Sequence, residues 1–265
     1  MYKKILSKEE SEIYSLLELL SLQNITVPYM LKENILYMQK GDIVTYNEID
    51  LQELYSDVLS SMYQYLNSSF SKGIYCFFSS NNTKVVSNYY EHLVFEIDNI
   101  VYELSPCLDD DFKETFNRLL EIIKNNLNRH KNYFISKKKF ELLHGDLFSG
   151  NVLQYAHRKL LIDFEYIRFG PMISELSFFL CWDIISDPNS DWDISLLFSN
   201  LEKLLNSNII SVEESDIIKM FYIPLYTALA ILFASAKKYA DDSIIKLGAL
   251  NFVSKYFGKV EGLAI

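Results

Sequence analysis

The chain has 265 residues, 49% of them hydrophobic and 15% aromatic. That composition excludes intrinsic disorder and supports one large domain, or two modest ones, around a hydrophobic core. A formal net charge of −10 at pH 7 argues against nucleic acid or an anionic membrane surface as partner and tolerates a cationic ligand. Cys76, Cys107 and Cys181 are odd in number and lack metal-binding spacing, so they read as free thiols of a reducing, cytoplasmic compartment. The N-terminus has no apolar run of signal-peptide length. The most apolar stretch, Phe221–Ala236, is shorter than a bilayer span and contains Pro224, so it reads as a buried helix.

In chain order, Lys8–Leu22 carries Ile13, Leu16, Leu17 and Leu20 at helical spacing, with Ser7 and Glu10 as a capping-box signal. Ile25–Met30 and Ile35–Gln39 are predicted as short strands around a turn at Lys32-Glu33-Asn34, and Gly41 follows as a hinge. Leu51–Leu66 is predicted helical. Ile74–Leu104 mixes aromatic and β-branched residues, which favour strand, with poor periodicity. Phe112–Leu127 returns to helical spacing, and Lys137–Lys139 reads as a solvated face. Beyond Phe164 come four predicted helices, Ile173–Ile185, Leu196–Leu205, Glu213–Tyr239 and Asp242–Tyr256, the third kinked by Pro224. The order is a small mixed front part and a mostly helical back part.

The block between Leu142 and Phe164 carries the chemistry. It reads Leu142-Leu-His-Gly-Asp146-Leu-Phe-Ser-Gly-Asn151-Val-Leu-Gln-Tyr155 and, after Ala156–Lys159, Leu160-Leu-Ile-Asp163-Phe-Glu165. Physically this is a strand end, a polar loop, a hairpin (Val152–Tyr155 and Leu160–Ile162, turning at Ala156–Lys159) and a second, acidic strand end. Phosphoryl transfer needs such groups: an Asp to orient the acceptor hydroxyl and take its proton, and hard oxygen ligands to hold Mg²⁺ against phosphates. Gly145 and Gly150 allow the loop backbone tight conformations. The bland alternative is a chance polar loop between core strands.

The motifs His144-Gly145-Asp146, Asn151 and Ile162-Asp163-Phe164-Glu165-Tyr166 resemble those of the aminoglycoside phosphotransferase and choline kinase families, relatives of the protein kinases. The resemblance implies an α+β, protein-kinase-like bilobal fold with a reduced N-lobe and hinge over residues 1–43 and a large, mostly helical C-lobe over 44–265. It implies Asp146 as catalytic base, Asn151 and Asp163 as Mg²⁺ ligands, Glu165 as an auxiliary acid near the metals and His144 as a structural anchor. Lys4 falls where the phosphate-binding lysine of these families lies, Glu12 where its ion-pair partner lies, and Tyr37, Met38 and Gln39 on the strand leading to the adenine hinge. The departure is that no glycine precedes Gly41, so a glycine-rich phosphate lid is not expected before that lysine.

The cofactors implied are ATP and Mg²⁺. The acceptor is a small molecule bearing a hydroxyl: a choline- or ethanolamine-like amino alcohol, an aminoglycoside or a sugar. Phe178, Phe179, Trp182 and Asp183, with Asp187, Asp191, Trp192 and Asp193 beyond them, read either as core and loop caps or as a cation-binding wall, with Trp182 and Asp183 as the substrate-binding candidates. Glu175 falls where these families keep a bracing acid. Two functions lead: a small-molecule kinase, or a binding or scaffold protein that kept the fold without efficient turnover; a protein kinase is a weaker third, since no Ala-Pro-Glu segment follows the metal motif and Asp163-Phe-Glu165 stands in place of Asp-Phe-Gly. A lid supplied by a second copy would make the chain a homo-oligomer.

Overall fold

A computed structural model describes residues 2–19, 25–63, 89–104, 106, 108, 110–136, 141–186 and 194–235. The chain divides into two compact units, residues 1–86 with 139–176 and residues 87–138 with 177–265.

The first unit opens with β1 (Tyr2–Ile5), α1 (Lys8–Leu19), β2 (Tyr29–Lys32), β3 (Ile35–Met38) and β4 (Asp42–Ile43). From α1 onward the helix–strand–strand order is the one expected. Ile25–Met30 is strand only from Tyr29; upstream, Thr26 makes a single parallel bridge to Leu161. The first sheet runs β1-β3-β2, all antiparallel, with Lys4 opposite Leu36 and Tyr2 opposite Met38. Because side chains alternate across a strand, that register sets Lys4 on the same face as the buried Leu36 and Met38.

α2 (Leu51–Leu54) passes through a π turn at Tyr55–Leu59 into α3 (Ser60–Tyr63). The predicted residues 64–66 lie outside the described residues. Asp50 caps α2 by accepting from the amides of Gln52 and Glu53 at 2.9 and 3.1 Å. β5 (Glu141–Leu143) pairs with β8 (Arg168–Gly170), a strand the sequence reading did not anticipate. β6 (Val152–Tyr155) and β7 (Arg158–Leu161) form the predicted hairpin, joined by β4 into a second sheet. Its turn is tighter than expected: Ala156 adopts φ 53, so β7 already begins at Arg158.

The second unit is helical among its described residues: α4 (Tyr89–Leu104), α5 (Asp110–Arg129), α6 (Lys131–Ser136), α8 (Ile194–Asn206), α9 (Val212–Ile217) and α10 (Ile223–Ser235). α7 (Met172–Ser186) begins in the first unit and continues into the second. The strand tendency read over Ile74–Leu104 is corrected at residues 89–104. Tyr89, Leu93 and Ile97 are buried at four-residue spacing, and that helical stripe overrides the strand preference of individual residues. In α5 the buried stripe is Phe112, Phe116, Leu119, Ile123 and Leu127. Pro224 is accommodated by a π turn at Ile218–Tyr222 just before it. The wider turn answers the missing N–H and the ring's clash with the preceding carbonyl. By length and composition Val212–Leu232 could cross a membrane, but 72% of its apolar window is buried within the fold.

Cys181 is a buried free thiol whose pKa burial raises. Cys76, Cys107, Lys137–Lys139, Asp187, Asp191, Trp192, Asp193 and the predicted helix Asp242–Tyr256 lie outside the described residues.

Candidate active site

The site is built within the first unit. β5 ends at Leu143, and His144, fully buried, follows. Its Nε2 lies 2.7 Å from the carbonyl of Ile162. A carbonyl can only accept, so Nε2 carries a proton. Burial pushes the imidazole down to about 4 against the modest opposing pull of the Ile162 carbonyl. The ring also packs on Phe164, centroids 4.6 Å apart. His144 thus ties the first loop to the second acidic segment.

Gly145 turns the loop with φ 87; a Cβ there would sit 1.8 Å from the Tyr166 carbonyl oxygen. Asp146 follows, half-buried. Asn151, buried at the end of a short 3₁₀ turn, donates its Nδ2 to the Asp146 carbonyl at 2.7 Å and to the Asp146 carboxylate at 3.1 Å. With its nitrogen committed there, the Asn151 side chain has its carbonyl oxygen left for a cation. The Asn151 backbone carbonyl accepts from the Ile162 amide at 3.0 Å, a second tie between the two segments. Burial raises the Asp146 carboxyl, Asn151 opposes the rise, the Asp163 charge adds to it and Arg168 offsets it. Asp146 and Asp163 are therefore close enough to feel each other's charge.

Asp163 takes left-handed angles, φ 62 and ψ 65, an uncommon state for a non-glycine residue that Asp tolerates. Its Oδ1 meets Lys4 Nζ at 2.9 Å. The same ammonium lies 2.9 Å from Glu10 and 3.6 Å from Glu165. Burial works against the Lys4 charge, but Asp163 and Glu10 outweigh it and hold the lysine above its ordinary value. Burial would raise Glu10, but the Ser7 amide, the Lys4 ammonium and the Ser7 hydroxyl pull it down to about 2.

The acid that meets Lys4 is Glu10, not Glu12, and this corrects the sequence reading. Two residues along a helix are about 200° around its axis, so only one of the pair can face the lysine. Glu12 instead lies 3.9 Å from Lys8. Glu10 was legible as a capping residue, and it fills that role too: Ser7 N donates to its Oε2 at 2.6 Å and Ser7 Oγ accepts from its amide at 3.1 Å.

A cleft of about 260 Å³ lies beside Lys4 and Asp163, lined also by Tyr14, Leu36, Met38, Gln39 and Leu153. Met38 and Gln39 are thus brought to it. Tyr37 is not among its lining residues: strand alternation turns it to the other face, where Lys3 Nζ lies 5.8 Å from its ring centroid. Tyr14, buried on α1, went unrecognised in the sequence. It packs edge-on to Phe164 at 6.4 Å, and burial together with the Asp163 charge pushes its phenol up to about 12. No sequence signal separates it from an ordinary core tyrosine.

Glu175, 2% exposed on α7, accepts from the Gly145 amide at 2.6 Å and from the Tyr63 hydroxyl at 2.9 Å. Trp182 and Asp183 lie further along α7, in the second unit. There Trp182 stacks on Phe178 at 5.2 Å and Phe178 meets Tyr226 edge-on at 5.4 Å.

Glu10, Asp163 and Glu165 offer carboxylate oxygens within 4.8 Å of one another, a hard-oxygen donor set that fits Mg²⁺. Three carboxylates and one ammonium leave a local charge of −2, which a divalent cation would balance.

The phosphotransferase enzyme family model matches residues 93–200, a span that holds Asp146, Asn151 and Asp163. Among solved structures, the chain is similar to an ethanolamine kinase of Plasmodium vivax, at 14% identity and TM-score 0.55 over 96% of this chain and 72% of that one. It is similar to choline kinase LicA from Streptococcus pneumoniae, at 13% identity and TM-score 0.55 over 97% and 85%. It is also similar to a thermostable mutant of aminoglycoside phosphotransferase APH(4)-Ia, at 12% identity and TM-score 0.60 over 96% and 85%. No curated protein matches the sequence. The chain has the protein-kinase-like α+β fold of these aminoglycoside and choline kinases, as the motifs implied.

Proposed function

We propose that the chain is an ATP- and Mg²⁺-dependent small-molecule kinase that moves the γ-phosphate to a hydroxyl, with Asp146 as the base. The observation that carries this reading is the pairing of Asp146 with Asn151 on one loop, tied through His144 and Ile162 to the segment bearing Asp163. Asp146 orients the acceptor hydroxyl and takes its proton; the Asn151 amide fixes the carboxylate. Asp163, Glu165 and the carbonyl oxygen of Asn151 would hold Mg²⁺, which supplies charge neutralisation at the phosphates. Lys4, released from Asp163, would reach a phosphate while Glu10 keeps it aimed.

The adenine falls to the cleft beside Met38 and Gln39. At about 260 Å³ that cleft is smaller than the roughly 300–1,000 Å³ usual for ligand pockets, consistent with phosphates that extend beyond it toward solvent. The lobe boundary at residues 43 and 44, at the end of β4, remains part of this reading, as do a cytoplasmic setting and an acceptor met by Trp182 and Asp183. A cationic amino alcohol suits the acidic chain better than a neutral sugar.

The test is γ-phosphate transfer from ATP to a panel of amino alcohols, aminoglycosides and sugars, by the wild type and by Asp146→Asn. Transfer to one class that disappears with Asp146→Asn supports the proposal. Nucleotide binding that is indifferent to Mg²⁺, with no transfer to any acceptor, would assign the chain to a binding role instead.

A further inference from the structure

One buried carboxylate of the first unit takes no part in the chemistry proposed above. Glu175 sits in the interior with each oxygen engaged by a different donor, Oε2 by the Gly145 amide at 2.6 Å and Oε1 by the Tyr63 hydroxyl at 2.9 Å. Tyr63 comes from α3, more than a hundred positions away in the chain, and is itself buried.

We propose that Tyr63 is a positioning residue for the catalytic loop: its hydroxyl holds the Glu175 carboxylate onto the Gly145 amide and so fixes the turn that presents Asp146. The inference rests on the kinase reading only where turnover is concerned.

The physical argument starts from the carboxylate. A dry carboxylate needs donors on both oxygens, and one left without a donor either takes up a proton or moves toward water. Burial raises the Glu175 carboxyl, and the Gly145 amide, the Tyr63 hydroxyl, the His144 amide and the Arg168 charge work against that rise. Tyr63 is a dependable donor, because burial and the Glu175 charge hold its phenol protonated far above its ordinary range. The short Gly145 bond is charge-assisted, so its strength depends on Glu175 remaining ionised and aimed. Gly145 is the residue with φ 87 wedged against the Tyr166 carbonyl. Asp146 follows directly on that turn, and a displacement of about 1 Å at a reacting group costs up to about 100-fold in rate.

The test is nuclear magnetic resonance of the full chain labelled with ¹⁵N-glycine, which places eight residues under observation. The Gly145 amide is expected to be shifted strongly downfield and protected from exchange. In Tyr63→Phe its resonance should move upfield and its exchange should quicken at least about tenfold, while the remaining glycines hold still. An unchanged Gly145 resonance in folded Tyr63→Phe overturns the proposal, and this readout is independent of any activity. With an acceptor in hand, Tyr63→Phe should lower kcat about 10- to 100-fold and leave the KM for Mg-ATP within about twofold. An equal loss in KM would indicate a merely structural role and count against the proposal.

Should Tyr63→Phe not fold, the comparison is made in Glu175→Gln, where no buried charge is stranded. Adding Tyr63→Phe to Glu175→Gln should then leave the Gly145 resonance where Glu175→Gln put it. A further displacement would show that Tyr63 acts by another route, and the proposal would fall.

Discussion

Gly145→Ala is the sharpest perturbation of the candidate site. The residue sits at φ 87, and an added Cβ would lie 1.8 Å from the Tyr166 carbonyl oxygen and 2.6 Å from its carbon. Both obstacles are backbone, so no side-chain rotation relieves them. An alanine held at such angles costs about 1–3 kcal/mol. Shifting the loop off Tyr166 to clear the clash also breaks the 2.6 Å bond from the Gly145 amide to Glu175 and leaves a buried carboxylate short of a donor, a further ~1–3 kcal/mol. The sum, about 2–6 kcal/mol, corresponds to a fall in Tm of roughly 5–20 °C for a chain of this size. Turnover should fall with it, because Asp146 is the next residue. Differential scanning calorimetry and phosphate transfer on the same preparation read both effects. A fall in Tm below about 3 °C with turnover within threefold of wild type would refute the argument that this turn requires glycine.

Asp146→Asn keeps the shape of the side chain but not its basicity, and should lower kcat by about 10²–10⁴-fold with little change in nucleotide affinity measured by calorimetric titration. Asp163→Ala should weaken Mg-ATP binding more than Asn151→Ala, since it removes a charged ligand, and chelation of Mg²⁺ should abolish the difference between the two. Glu10→Gln should weaken Mg-ATP binding, whereas Glu12→Gln should leave it within about twofold; the reverse order would restore Glu12 as the partner of Lys4. His144 adds a pH dependence. Its folded pKa is lowered from 6.5 to about 4, so between those values the unfolded chain binds the proton and the folded chain does not. Stability contributed by the neutral ring is complete above pH 6.5 and lost as pH falls toward 4, up to about 3 kcal/mol. Urea unfolding at pH 7 and pH 4.5 measures this loss, and His144→Gln should flatten it.

The candidate site is legible in the sequence where its chemistry is local. Asp146, Asn151 and Asp163 occupy one stretch whose hairpin sets their separation, and the Ser7–Glu10 box marks a helix start from four letters. It is least legible where a face had to be chosen. Glu10 and Glu12 are equivalent as letters, and only the angle at which α1 meets β1 decides between them. Tyr37 and Met38 are neighbours in sequence, but strand alternation sends them to opposite faces. Tyr14 and Tyr63 carry no local signature, because their roles depend on partners far along the chain: the Asp163 segment for one, Glu175 for the other. The helix at 89–104 was obscured for another reason. Its residues individually favour strand, and the four-residue stripe of Tyr89, Leu93 and Ile97 outweighs them only once a core exists to bury it.

The bond between Lys4 and Asp163 closes a loop of 159 residues, and that bears on how the protein comes into being. At a synthesis rate of about 5–20 residues per second, Lys4 waits roughly 8–30 s before its carboxylate partner has been made. In the sheet itself β1 is paired on one edge alone, with β3, among the described residues. Among the described residues β1 keeps that free edge in the finished sheet, with Ile5 72% exposed, the kind of edge that other chains can join. The segment bearing Asp163 thus gives Lys4 its carboxylate partner late in synthesis and leaves the outer edge of β1 open.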